Sequence, residues 1–211
     1  MNKLKGFKSR NLGLASLFIA VFLLFGWIAI GQTQESKVDV NALTYETQRM
    51  SNKQGEATLI WWIPEEYWRF SFGMTEEFIK VFRPYIVLIV VDSKVGPFGA
   101  ITYTPEATIR ATIQIRDSEG VRYRPLNEDT ISPDSKNFSL LMKPVFANML
   151  EPMGQNMHLF LFPAENKRGQ KIAEAEREGS FSVELGEREF RWRLPLGSLL
   201  TPKKCSTCGE K

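Results

Sequence analysis

The chain has 211 residues, with 27 Lys and Arg against 24 Asp and Glu, one His and two Cys. Lys3, Lys5, Lys8 and Arg10 lie in the first ten residues; without them 23 cations face 24 acids, so the basic balance belongs to the N-terminus. No basic stripe is left to follow a phosphate backbone, which argues against a nucleic-acid partner, and two cysteines near one end cannot staple distant parts of a fold.

The four cations run into a nearly unbroken apolar stretch from Leu12 to Ile30. A cationic start followed by an apolar run reads as an export signal. Ala29-Ile30-Gly31 before Gln32 supplies small residues for cleavage after Gly31, whereas a 19-residue run approaches the roughly 20 that span a bilayer, so an uncleaved anchor is the other reading. Either way residues 1–31 are a signal peptide or membrane anchor, and the rest is expected outside the cytoplasm: periplasmic, secreted or held at the inner membrane by residues 12–30. The remaining residues, about 180, suffice for one core.

Residues 32–56 are polar and poor in β-branched runs, which predicts a tether, with a folded domain over 57–196. Thr58–Ile63 reads as a strand. Pro64-Glu65-Glu66 then opens a short helix to about Phe72, with Trp68 and Phe72 at i, i+4, and a second helix is expected over Glu76–Arg83, stopped by Pro84.

Tyr85–Val91 is seven apolar residues in a row, a strand buried on both faces. After a turn through Gly96-Pro97, Phe98–Thr104 is a further strand. Ile109, Ala111, Ile113 and Ile115 alternate with Arg110, Thr112, Gln114 and Arg116, the period of a half-buried strand, and Asp117–Gly120 turns it back through Val121, Tyr123 and Leu126.

Asn137–Leu150 has near-helical apolar spacing with Pro144 inside it, which predicts a kink or two pieces. Met157–Phe162 is a second two-sided strand, and 166–179 a charged loop. Phe181–Leu185 and Phe190–Leu194 form a hairpin about Gly186-Glu187, suited to a type II′ turn.

Strands joined by hairpin turns point to a mostly β chain, an immunoglobulin-like β-sandwich with short helical insertions. The two-sided runs allow an α+β alternative with a mixed or antiparallel sheet, covered by the helix near residue 145.

Catalytic constellations are sparse. His158 is the one histidine, no Gly-x-Ser-x-Gly elbow accompanies it, and its place in a strand suits a ring bonded within the fold. The pairs Glu65-Glu66 and Glu76-Glu77 fall at helix starts, where acids favour the dipole. Trp61, Trp62 and Trp68 fall within eight positions beside Glu65 and Glu66, an aromatic and acidic group that core packing explains, or that supplies a carbohydrate-binding or hydrolytic site.

The tail 197–211 is expected to be flexible and carries Lys204-Cys205-Ser206-Thr207-Cys208-Gly209. Cys-x-x-Cys-Gly resembles one knuckle of a zinc ribbon over about seven residues; the second Cys pair of a ribbon is missing, so the resemblance implies at most a zinc half-site at Cys205 and Cys208, completed by another chain. Apart from that zinc no cofactor is expected. The sequence therefore reads as a non-enzymatic extracytoplasmic domain that binds an envelope protein or cell-wall component, touching the membrane through its N-terminal segment if uncleaved.

Overall fold

A computed structural model describes residues 38–51, 53 and 55–200. The chain is a mixed α/β structure with two antiparallel sheets, neither closed into a barrel.

It opens with helix α1 (Val40–Thr47) and strand β1 (Gln48–Ser51), where a polar tether is expected. Asp39 caps α1, accepting from the backbone N–H groups of Asn41 and Ala42 at 2.9 and 3.1 Å. Leu43 and Thr47, one turn apart, face the core and are fully buried. Two buried residues in eight are enough to pin a helix whose other positions are partly or fully exposed, which is why composition misreads the segment. The packed structure therefore includes residues 40–51 as well as those from 57 onward.

Strand β2 (Glu56–Ile63) pairs with β1 and with the long β3 (Tyr85–Val95); β4 (Ile101–Tyr103) and β7 (His158–Pro163) share the other side of β3. The continuous apolar runs thus become the centre of this sheet, with Ile86 to Val91 all buried. Its two faces have different partners. Trp61 meets Tyr67 and Phe146 with ring centroids 5.4 and 5.5 Å apart, while its neighbour Trp62 meets Phe181 of the second sheet at 4.9 Å. Successive strand residues point to opposite faces, so one face of the first sheet carries helices and the other meets the second sheet.

The helices are α2 (Glu65–Phe72), α3 (Glu76–Phe82) and α5 (Pro133–Met149). Trp68 stacks on Phe82 of α3 at 5.1 Å and meets Phe146 of α5 at 5.5 Å, and Trp61 Nε1 donates to Thr47 Oγ1 of α1 at 3.1 Å. Helix α5 is a single element through Pro144, which lies on its exposed side, so the lost N–H leaves a carbonyl where water reaches and the helix need not break.

The second sheet runs β6 (Arg122–Tyr123), β5 (Ile113–Arg116), β8 (Gly179–Leu185), β9 (Arg188–Leu194). Its inner face is Ile113, Ile115, Phe181, Val183, Leu185, Phe190 and Trp192, all buried. Gly186 turns the β8–β9 hairpin at φ 60°, the left-handed value that the first position of a II′ turn needs. The alternation expected from Ile109 holds only from Ile113 onward. Residues Glu106–Thr112 form helix α4, and Ile109 is buried from that helix while Ala111 is exposed. Ile109 and Ile113 are four apart, a spacing that serves helix and strand alike, and Pro105 before Glu106 starts the helix.

Candidate functional site

The aromatic and acidic group at 61–68 is split by the fold. Trp61, Trp62 and Trp68 are 1, 2 and 1 % exposed and belong to the core, so no aromatic platform faces a ligand. Pro64 ends β2, and Glu65 and Glu66 occupy the first turn of α2. Arg83, at the end of α3, donates through Nε to both oxygens of Glu65 at 3.1 and 3.2 Å and through Nη2 to Glu65 at 3.0 Å and Glu76 at 2.6 Å. One guanidinium thus clasps the starts of both helices. The same bonds draw the Glu76 carboxyl below its ordinary range and hold Arg83 above its own. Glu77 is drawn down by a backbone N–H and by Thr75.

Glu66 differs. Burial, the largest cause, pushes its carboxyl above the ordinary range, and the charges of Glu176 and Glu65 add to the effect. It borders a cleft of about 170 Å³ with Glu65, Arg83, Lys171 and Glu174 at the rim and Trp62 and Trp68 below. Sites for small molecules usually enclose about 300 Å³ or more, and a sugar bound here would meet an occupied Glu65. The carboxylates serve helix ends and an ion pair.

His158 lies on β7 with Nδ1 3.7 Å from Glu106, and burial lowers its pKa from the ordinary value. No nucleophile stands in hydrogen-bond reach of it among the described residues. A hollow of about 490 Å³ is lined by Asp117, Glu119, Glu165, Glu174 and Glu178 together with Lys171 and Arg177; among the described residues no group of three His, Cys, Asp or Glu side chains is placed to hold a metal. Cys205 and Cys208 lie outside the described residues.

What the structure does bring forward is a surface. Val95–Pro105 is eleven residues without a charge, and its first part is the β3–β4 hairpin. The tip is ordered by its own backbone: Gly96 N–H donates to Ala100 C=O at 2.8 Å, Gly99 N–H to Gly96 C=O at 3.0 Å, and Val95 N–H to Gly55 C=O at 2.9 Å. Gly99 sits at φ 81°, a conformation that a side chain would resist. Phe98, expected inside a strand, stands instead on this tip, 99 % exposed and flanked by exposed Val95 and Ile101. The absence of charge from 95 to 105 was a signal for such a tip; the β propensity of Phe98 hid it.

No family model, no curated protein and no solved structure matches this chain.

Proposed function

We propose that the chain is an extracytoplasmic binding domain, exported by residues 1–31 and not itself a catalyst, that captures an envelope protein or cell-wall component. The observation that carries this reading is the hairpin tip with Phe98. A fully exposed aromatic on a backbone already ordered by three hydrogen bonds loses little freedom on docking, and aromatic anchors of this kind dominate interface energetics. The sandwich belongs to the same reading: Trp62 against Phe181 supports two facing sheets, and antiparallel pairing throughout is also what an immunoglobulin-like domain would have. Zinc at Cys205 and Cys208, shared with a second chain, stays a proposal from the sequence resemblance.

A carbohydrate-binding or hydrolytic role for Trp61, Trp62, Trp68, Glu65 and Glu66 lacks such support, because the indoles are buried and Glu65 is engaged by Arg83.

A photo-crosslinking residue at position 98 of the full chain in its native cell should give a discrete adduct, and Phe98→Ser, with the crosslinker at Ile101, should lose it while unfolding within about 0.5 kcal/mol of the parent. Adduct yield unchanged by Phe98→Ser, or no adduct at either position, overturns the reading. Fractionation that finds the full-length chain free in the cytoplasm overturns export.

A further inference from the structure

The two outer faces of the molecule are unlike. Outside the second sheet lie Gln114, Arg116, Arg122, Glu184, Glu189 and Arg191, tied by ion pairs: Arg116 and Arg122 each reach Glu184, at 2.8 and 2.9 Å, and Arg191 reaches Glu189 at 2.7 Å. That face is made for water. On the helix side large apolar residues stand exposed, with charged ones at Arg69, Glu76, Glu77 and Lys80. Leu140 and Leu141 on α5 are 70 and 68 % exposed, and Val145 and Met149 continue from Leu141 at successive i+4 steps. Phe78 of α3, also exposed, extends the stripe through Phe138, its ring 5.9 Å away. Tyr45 on α1 and Phe70 on α2 are exposed too.

From Asn137 to Leu150 the sole charge is Lys143, and Lys136 stands just before. An apolar stripe along a helix with cations beside it is the pattern of a helix that lies in a membrane interface, its stripe among the upper acyl chains and its lysines at anionic headgroups. The length of chain before the domain points the same way. Seven residues, Gly31–Lys37, separate the apolar segment from Val38, and even fully extended they reach about 25 Å.

We infer that α5, with Phe78, docks on the surface of the lipid bilayer. This rests on the export reading above with residues 12–30 retained as the anchor. A bilayer fits the stripe: Leu141, Val145 and Met149 offer no polar side chain to pair, and the charge set among them is the cation Lys143, while Glu76, Glu77 and Lys80 border it beside Phe78. The hairpin bearing Phe98 is then left for the partner.

The test uses the full chain reconstituted in phosphatidylcholine vesicles, with and without phosphatidylglycerol, and with brominated acyl chains as quencher. Leu141→Trp adds a tryptophan on the stripe, and Arg193→Trp adds one on the exposed edge of the second sheet; each is read as the difference from the parent spectrum. The tryptophan at 141 should emit at shorter wavelength in vesicles than in detergent and lose most of its emission to brominated lipid, more so with phosphatidylglycerol, while that at 193 is unaffected. Equal quenching at both positions, or none at 141, overturns the inference. Protection of 141 that needs an added protein and no lipid assigns the face to a protein partner and overturns it as well. Because the vesicles hold no other protein, this outcome is independent of whether position 98 captures a partner in the cell, and the fractionation experiment reports on export separately.

Discussion

Arg188 of β9 donates through Nη1 to Asp92 Oδ1 of β3 at 2.8 Å, an ion pair that ties one sheet to the other. Thr58 and Thr104 donate to the two oxygens of the same carboxylate at 2.7 and 2.8 Å, and Arg188 also bonds the Thr58 hydroxyl. Asp92 is buried, so each of its bonds is made away from bulk water. Replacing Asp92 by Ala leaves Arg188 its longer pair with Glu56 at 3.7 Å, takes the acceptor from two hydroxyls and should cost about 3 kcal/mol, whereas replacing Asp92 and Arg188 together by Leu and Met should recover most of it. Denaturant midpoints of the single and double variants check this; equal losses would show that the pair contributes nothing beyond its packing.

The same cluster sets an acid limit. Burial pushes the Asp92 carboxyl up, but the bonds from Arg188, Thr58 and Thr104 outweigh it and its pKa lies below the ordinary value. The native state therefore binds this proton less readily than the unfolded chain. Its contribution is complete above the unfolded value, near pH 4, and is lost as pH falls through the lower native value. Below pH 4 the unfolding free energy of Asp92→Asn, followed by denaturant titration at each pH, should fall less steeply than that of the parent, by at most one proton.

Much of the fold is legible in the sequence because its elements carry one period each. The β8–β9 hairpin, the two-sided runs at 85 and 158 and the proline-led helix at 65 are read from alternation, continuity and capping, and stand where these place them. What escapes is held by few residues or by remote ones. Helix α1 is fixed by Leu43, Thr47 and the Asp39 cap, and Arg49, in the same stretch, lies 4.9 Å over the Trp192 ring and bonds the Arg191 carbonyl at 2.8 Å, 142 residues away in sequence. Local composition holds no record of such partners. For the site, the sequence shows where aromatics and acids cluster but not that β2 turns Trp61 and Trp62 to opposite faces and buries both.

The helix α1 gives a direct test of where the domain begins. Leu43 is fully buried, and Glu46 accepts from Ser198 N–H and Oγ at 3.0 and 2.6 Å, tying α1 to the turn at 197–199. Leu43→Ala should cost about 2–5 kcal/mol, from lost transfer energy and the cavity left behind. A chain starting at Ala57 should fail to give a cooperative unfolding transition. If it unfolds like the parent, residues 40–51 are an appendage.

Position dependence on β5 provides a second check. Ile113 is buried and Gln114 faces outward, its Nε2 bonded to Glu184 at 2.7 Å. Ile113→Ala should cost about 2–5 kcal/mol, and Gln114→Ala at the surface within about 0.5. Similar losses at both would contradict the inward and outward assignment of this sheet.

At Gly154, which is buried in the turn after α5, an added Cβ would stand 1.8 Å from the carbonyl oxygen of Ala147. The obstacle is backbone, so the turn or the helix end must move. Gly154→Ala should cost about 3 kcal/mol, while Gly179→Ala, whose Cβ meets nothing within 4 Å, should change little. Thermal unfolding of the two variants separates a close approach from a general intolerance of alanine for glycine.

Glu66 titrates in the sense opposite to Asp92. Burial raises its carboxyl pKa, so the native state binds this proton more tightly than the unfolded chain does. Stability from this group is present below the unfolded value, near pH 4, and is lost as pH rises through the higher native value, leaving a buried charge at neutral pH. Gln keeps the shape and removes the charge. Glu66→Gln should therefore unfold at higher temperature than the parent at pH 7, and this advantage should shrink as the pH falls toward 4. Differential scanning calorimetry at the two pH values decides the point, and a loss at pH 7 would mean that the ionised carboxylate makes a bond worth more than its burial costs.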